Sequence, residues 1–246
     1  MQVVALFASV LTIVVGAVVG ARMLLLARRT GQRPELLLGA SLFAYAAVGQ
    51  PLLIASRPLG EAFGFEARLA VVTLALASQV VSLVGLYLFT WTVFRRDRRW
   101  AAVLVWAGGA VALAACLLIV PTIPRTPGQY APATRAGLAL LAADFCASMA
   151  WTAWESLRYH ARMRRRLAVG LADAVVVNRF LLWGVGCGTV ACVPMAMIAS
   201  VAAGLDLVVH PVPLLLMSVG GFVISVCWTL TFFPPRAYTR WVTARA

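Results

Sequence analysis

Residues 69–94 read LAVVTLALASQVVSLVGLYLFTWTVF, a stretch with no charged residue and no proline. The next five residues, 95–99, read RRDRR and place four arginines beside one aspartate. A helix of about 20 apolar residues crosses the roughly 30 Å hydrocarbon core of a bilayer. The stretch therefore predicts a membrane-spanning helix with a strongly basic end.

Six other stretches of the chain are comparably long and apolar. Strands of a membrane barrel would alternate polar and apolar residues, which these stretches do not do, so helices are the structure that satisfies their backbone in lipid. We expect an all-α, polytopic membrane protein, a single seven-helix domain over residues 1–246 without a soluble domain. The predicted spans are Val3–Leu26, Glu35–Ile54, Leu69–Phe94, Ala101–Val120, Ala136–Leu157, Asn178–Val201 and Val212–Phe233.

The composition excludes several classes of protein. Of the 246 residues, 63% are hydrophobic and 12% are charged, and the mean hydropathy is +0.93, so neither a soluble core nor a disordered chain fits. The net charge of +13 does not indicate a nucleic-acid partner in so apolar a chain. All 21 basic residues are arginine, and without a lysine amine a covalently bound retinal is excluded. We expect no cofactor and no metal site, since the sequence has no CxxC motif and no Cys/His spacing typical of a metal site.

The distribution of the arginines predicts the orientation of the chain. Seventeen of the 21 fall in the first, third and fifth connections and at the C-terminus, which places these regions in the cytoplasm and the N-terminus outside. We expect the bacterial cytoplasmic membrane as the location. The fifth span should continue as a helix into the cytoplasm, break near Gly170 and be followed by a helix capped by Asp173. Its arginines are expected to contact anionic lipids or a signalling partner; they are Arg158, Arg162, Arg164, Arg165 and Arg166.

Asp144 is the carboxylate that the predicted spans place near the middle of the membrane. An acid there is costly and is a candidate for a functional site. Ser148 and Trp151 follow at i+4 and i+7, on the same face of the helix. Asp144 either binds a ligand, a proton or an ion, or it joins neighbouring helices by a hydrogen bond. The polar side chains of other spans that we expect around it are Gln79, Tyr45, Gln50 and Ser225.

Two pairs of glycines have the spacing that lets helices pack closely: Gly16 with Gly20, and Gly184 with Gly188. The pattern fits packing within the chain and the interface of a homo-oligomer equally well. Pro51 and Pro194 interrupt the second and sixth spans. Each removes a backbone hydrogen bond, which indicates either a pocket or kinked packing.

The layout of seven spans with an external N-terminus resembles that of rhodopsin-type receptors and of sugar transporters with three plus one plus three helices. No residues carry over, because the retinal lysine is absent and the Pro-Gln pair of the transporters is reversed here as Gln50-Pro51. No catalytic motif is present, and we do not expect an enzyme. The sequence favours a receptor-like or sensor-like protein that binds a small or lipid-like ligand and acts through a separate cytoplasmic partner. The alternative is a small-solute or ion transporter or channel with a polar path past Asp144.

Overall fold

A computed structural model of the chain describes residues 2–125, 131–202 and 210–244, with the backbone alone for residues 197–202. Seven helices in this part of the chain are long and apolar enough to cross a membrane, so the predicted number of long apolar helices is confirmed for the described residues. With a short eighth helix they are α1 (Gln2–Thr30), α2 (Arg33–Phe63), α3 (Phe65–Phe94), α4 (Arg99–Ile119), α5 (Pro132–Leu167), α6 (Ala174–Ala202), α7 (Pro211–Phe232) and α8 (Arg236–Thr243).

Helix α2 is longer than the predicted second span, which ended at Ile54. It continues through Pro58 to Phe63, and a single residue, Gly64, separates it from α3. Gly64 has φ +89°, in the left-handed region that glycine enters without steric cost. The apolar pattern marks only the part of a helix that matches the hydrocarbon. The backbone hydrogen bonds continue into more polar sequence, so the helix is longer than its apolar stretch.

A π-helical turn, Ala44–Gly49, precedes Pro51, so the helix is not broken at this proline. The backbone N–H of Gln50 donates to the carbonyl of Tyr45, five residues earlier. A proline has no N–H, and its ring would clash with the carbonyl four residues before it. The wider turn accommodates the ring and keeps α2 continuous. Helix α6 is likewise continuous through Pro194.

The chain divides into two compact units. One consists of Gly16–Ser148, and we call it the 16–148 unit. The other, which we call the terminal unit, joins Met1–Val15 to Met149–Ala246. The division falls within helices α1 and α5, so each of these two helices contributes residues to both units.

In the 16–148 unit, α1 and α2 pack with their backbones in contact. A Cβ atom on Gly20 would lie 2.6 Å from the backbone nitrogen of Phe43, and one on Gly39 would lie 2.7 Å from that of Leu24. Helix α2 also contacts α3, because the Ser41 hydroxyl donates to the Ser82 carbonyl over 2.7 Å. Gly20 of the predicted glycine pair therefore packs against a helix of its own chain.

In the terminal unit, glycines of α6 face α5. A Cβ atom on Gly184 would lie 2.8 Å from Leu157 Cγ, and one on Gly188 would lie 3.7 Å from Ala153 Cβ. The second predicted pair thus packs within the chain as well. Its use in a homo-oligomer stays a prediction.

The connection after α5 has the form that the sequence predicts. Helix α5 continues to Leu167, and Gly170 follows with φ +73°. The Asp173 carboxylate then accepts hydrogen bonds from the backbone N–H groups of Val175 and Val176, over 2.8 and 3.0 Å. Side-chain capping of this kind satisfies donors that have no partner within the helix. The predicted break and the predicted cap are both confirmed.

Candidate functional site

Asp144 lies on α5 in the 16–148 unit, and its side chain is only 6% exposed. The Tyr87 hydroxyl, on α3, donates a hydrogen bond to Asp144 Oδ1 over 2.7 Å. The same hydroxyl oxygen lies 3.3 Å from the backbone carbonyl oxygen of Asp144. Because the two residues lie on different helices, this hydrogen bond joins α3 to α5 within the 16–148 unit.

Helix α4 positions the ring of Tyr87. A Cβ atom on Gly108 would lie 2.3 Å from Cε2 of that ring and 2.7 Å from Cζ. Any side chain at residue 108 would thus occupy the volume of the tyrosine ring. A Cβ atom on the next residue, Gly109, would meet only Val84 Cγ2, at an ordinary 3.5 Å. Three helices together, α3, α4 and α5, determine where the tyrosine hydroxyl meets the carboxyl group.

The second carboxyl oxygen, Asp144 Oδ2, is buried and has no hydrogen-bond partner among the described residues. A carboxylate can accept hydrogen bonds at both oxygens. A buried acceptor without a donor costs about 1–3 kcal/mol, and more if it is charged. Oδ2 is therefore an atom at which an added hydrogen-bond donor would be stabilising. A proton, a cation or a ligand N–H or O–H group could supply it.

The residues that follow Asp144 on α5 have different surroundings. The Ser148 hydroxyl is buried and donates to the carbonyl of Phe145 on its own helix, over 2.8 Å. Trp151 is half-buried. The ring of Phe145 stacks on that of Tyr45 in the π-helical turn of α2, with centroids 5.3 Å apart. Tyr45 thus lies next to the residue that follows Asp144, and its contact is a ring stack.

Gln79 is buried on α3 and lies against the π-helical turn of α2. A Cβ atom on Gly49 would lie 2.6 Å from Ser78 Oγ and 2.9 Å from Gln79 Nε2. The expectation of a partner for Asp144 on the third span thus selected the correct helix, but the residue is Tyr87 rather than Gln79. Gln50, which was also expected near Asp144, is half-buried at the end of the turn.

Ser225 belongs to the terminal unit, whereas Asp144 belongs to the 16–148 unit. Its hydroxyl donates to the Gly221 carbonyl over 2.8 Å and lies 3.3 Å from Thr12 Oγ1. The contact with Thr12 joins α7 to α1, whereas the bond to Gly221 lies within α7. Small polar residues commonly make interhelical contacts like the one with Thr12 in membranes.

Two residues of the site were missed by the sequence analysis. Tyr87 lies in the middle of an apolar span, where its hydroxyl needs a partner, and this requirement was a usable signal. Gly108 is the other, and the adjacent glycines Gly108 and Gly109 in the fourth span were a second usable signal. The sequence alone does not reveal that Gly108, and not Gly109, faces the tyrosine.

The arginines at the end of α5 are all exposed, namely Arg158, Arg162, Arg164, Arg165 and Arg166. The guanidinium of Arg158 lies 5.7 Å from the centre of the Trp154 ring, within the range of a cation–π contact. In the part of the chain that the structure describes, no three His, Cys, Asp or Glu side chains come together as a metal site.

Comparison of the chain with protein-family models, with curated proteins and with solved structures gives no match. The function is therefore argued from the geometry of the site.

Proposed function

We propose that this chain is a receptor-like or sensor-like seven-helix membrane protein that binds a small or lipid-like ligand inside the bundle. The proposal depends on one observation, the buried Asp144 Oδ2 without a donor among the described residues. A ligand that carries an amine, an ammonium or a hydroxyl group would supply the donor. Tyr87 would orient the carboxyl group through its bond to Oδ1.

Helix α5 supports the receptor-like part of the proposal. Its 36 residues form one uninterrupted helix, about 54 Å long at 1.5 Å per residue. The same helix carries Asp144 and the exposed arginines from Arg158 to Arg166. A displacement of α5 upon binding at Asp144 would change what these arginines present to a separate cytoplasmic partner or to anionic lipids.

The orientation is part of this proposal. The excess of arginines in alternate connections supports an external N-terminus and a cytoplasmic C-terminus, and a bacterial cytoplasmic membrane is the proposed location. Reporter fusions after Arg33, Asp97 and Arg166 should report the cytoplasm, and a fusion after Glu61 should report the outside. A cytoplasmic signal at Glu61 would contradict this orientation.

A transporter or channel is the second candidate, and the same oxygen favours it. Ionisable residues within membrane spans often mark the route of a proton or an ion. In that function, Asp144 Oδ2 would bind a proton or a small cation transiently rather than a ligand donor.

The test uses Asp144→Asn in the purified full chain, because asparagine keeps the shape of the side chain but cannot ionise. We expect at least one member of a panel of small primary amines and tetraalkylammonium ions to raise the melting temperature of the wild type but not of Asp144→Asn. Asp97→Asn is the matched control, since it makes the same change at an exposed residue and should retain the response. A wild type that no member stabilises, or an Asp144→Asn variant that is stabilised equally, would contradict the proposal.

A flux measurement distinguishes the transporter or channel from the receptor-like protein. The wild type and Asp144→Asn are reconstituted into liposomes that contain a pH-sensitive or sodium-sensitive dye. Flux through the wild type that Asp144→Asn abolishes would favour the transporter or channel. Absence of flux together with stabilisation by an amine would favour the receptor-like function.

A further inference from the structure

An open groove of about 240 Å³ lies in the terminal unit, where the end of α5, the start of α6 and α8 meet. Helix α5 contributes His160, Arg164 and Leu167 to its walls, α6 contributes Val177 and Asn178, and α8 contributes Trp241. None of the residues that line it in the described structure is acidic. The groove therefore combines one permanent positive charge with apolar walls.

Hydrogen bonds hold the polar walls of the groove in place. Nδ1 of His160 lies 2.9 Å from the carbonyl oxygen of Val177, and because a carbonyl only accepts, Nδ1 carries a proton. The Asn178 side-chain amide donates to the Tyr238 hydroxyl over 2.5 Å. The Tyr238 ring in turn stacks near Trp241, with centroids 6.0 Å apart. These contacts fasten α8 to α6 and α6 to α5.

The groove divides the arginines of α5 into two groups. Arg164 lines the groove one turn after His160. Arg162 is also exposed but does not line it, because residues two apart on a helix point in nearly opposite directions. The sequence presents these arginines as one cluster. In the structure, Arg164 lies at the groove, whereas Arg162 lies on the exposed surface of the helix.

We propose that this groove binds the headgroup of an anionic phospholipid, with the phosphate on the Arg164 guanidinium. Arginine offers a planar set of donors that matches phosphate oxygens. The predicted fifth span ends at Leu157, so the residues that α5 contributes to the groove follow the apolar part of this helix. Trp241 is 50% exposed, as is typical of aromatic residues that anchor a protein at the membrane interface. The apolar walls suit the glycerol and the first carbons of the acyl chains.

The test compares the binding of different lipids to the purified full chain in detergent. Binding is measured by native mass spectrometry and by the change in melting temperature. The probes are phosphatidylglycerol, phosphatidylcholine of the same acyl chains, and inorganic phosphate. We expect the wild type to retain phosphatidylglycerol more tightly than phosphatidylcholine and to bind inorganic phosphate far more weakly. Arg164→Gln should weaken the binding of phosphatidylglycerol about fivefold, the effect of one charge near a membrane surface. The matched control Arg162→Gln, with the same loss of charge, should change it by less than about twofold.

Asn178→Asp is the second variant, and it protects the test against a folding defect in Arg164→Gln. The carboxylate can accept a hydrogen bond from Tyr238, so the attachment of α8 is kept, while the new charge repels a phosphate. We expect it to weaken the binding of phosphatidylglycerol at least as much as Arg164→Gln. Equal losses in Arg162→Gln and Arg164→Gln, or equal binding of the two lipids, would overturn the proposal. Binding of inorganic phosphate as tight as that of the lipid would also overturn it. Unchanged lipid binding in both groove variants would overturn it as well and would favour a protein partner for the groove.

Discussion

The middle and the C-terminal end of α5 place their ionisable side chains in opposite environments. Near its middle, Asp144 is buried in the 16–148 unit and meets a hydroxyl group that α3 and α4 position. At its end, the arginines from Arg158 to Arg166 are all exposed. A buried carboxyl group needs a hydrogen-bond partner with defined geometry, since water cannot supply one. Substitutions around Asp144 should therefore affect folding far more than substitutions of the exposed arginines.

The largest effect is expected at the glycine that holds the tyrosine ring. Gly108→Ala places a Cβ atom 2.3 Å from Tyr87 Cε2, so the ring or α4 must move, at a cost of about 1–3 kcal/mol. Gly109→Ala meets only Val84, at 3.5 Å, and should be neutral or slightly stabilising because alanine favours the helix. The free energy of unfolding, measured by titration with a denaturing detergent, should separate the two variants. Equal values would mean that the approach of α4 does not position Tyr87.

Removal of the tyrosine hydroxyl should have the next largest effect. Tyr87→Phe keeps the ring but leaves Asp144 Oδ1 without the donor that it has at 2.7 Å, which should cost about 1–2 kcal/mol of unfolding free energy. Tyr45→Phe removes a hydroxyl from a ring whose contact is the stack on Phe145, and it should cost less than about 0.5 kcal/mol. Both are measured by the same unfolding titration. A larger loss in Tyr45→Phe would contradict the central place given to the Asp144–Tyr87 hydrogen bond.

Loss of the Asp173 cap at the start of α6 should have an intermediate effect on stability. Asp173→Ala removes the acceptor of two backbone hydrogen bonds, and we expect a loss of about 1 kcal/mol. Asp97→Ala, at an exposed residue between α3 and α4, is the control and should have little effect. Hydrogen exchange at Val175 and Val176 should accelerate in the first variant only. Unchanged protection there would show that the cap does not stabilise the end of α6.

The smallest effect on stability is expected at the arginines outside the groove. Replacement of Arg162, Arg165 and Arg166 by glutamine should change the unfolding free energy by less than about 0.5 kcal/mol for each residue, because all three are exposed. The same triple variant should bind anionic vesicles somewhat more weakly than the wild type, since an anionic surface attracts exposed cations even where no groove holds a single lipid. A loss of folding in this variant would remove the contrast between the middle and the C-terminal end of α5.

The candidate site was predictable in part. The sequence identified Asp144, because an acid in an apolar run is unusual whatever surrounds it. The partner was harder to identify, since Gln79 and Tyr87 both lie in the third span and both could hydrogen-bond to a carboxyl group. The rotation of α3 and the close approach of α4 at Gly108 select Tyr87. The buried tyrosine and the glycine pair are visible in the sequence, but it does not show that Gly108 faces Tyr87 and that Tyr87 faces Asp144.

The sequence by itself determined the number of helices long and apolar enough to span a membrane in the described residues, the continuation of α5 to Leu167 and the helix cap at Asp173. These features follow from the length of apolar runs and from hydrogen bonds between residues close in the chain, which act wherever the segment lies. Only the tertiary structure decided that Tyr87 is the partner of Asp144, that a π-helical turn precedes Pro51, and that Arg164 differs from Arg162. These depend on which faces of separate helices meet. That choice is made by the packing of many side chains at once, and no single segment encodes it.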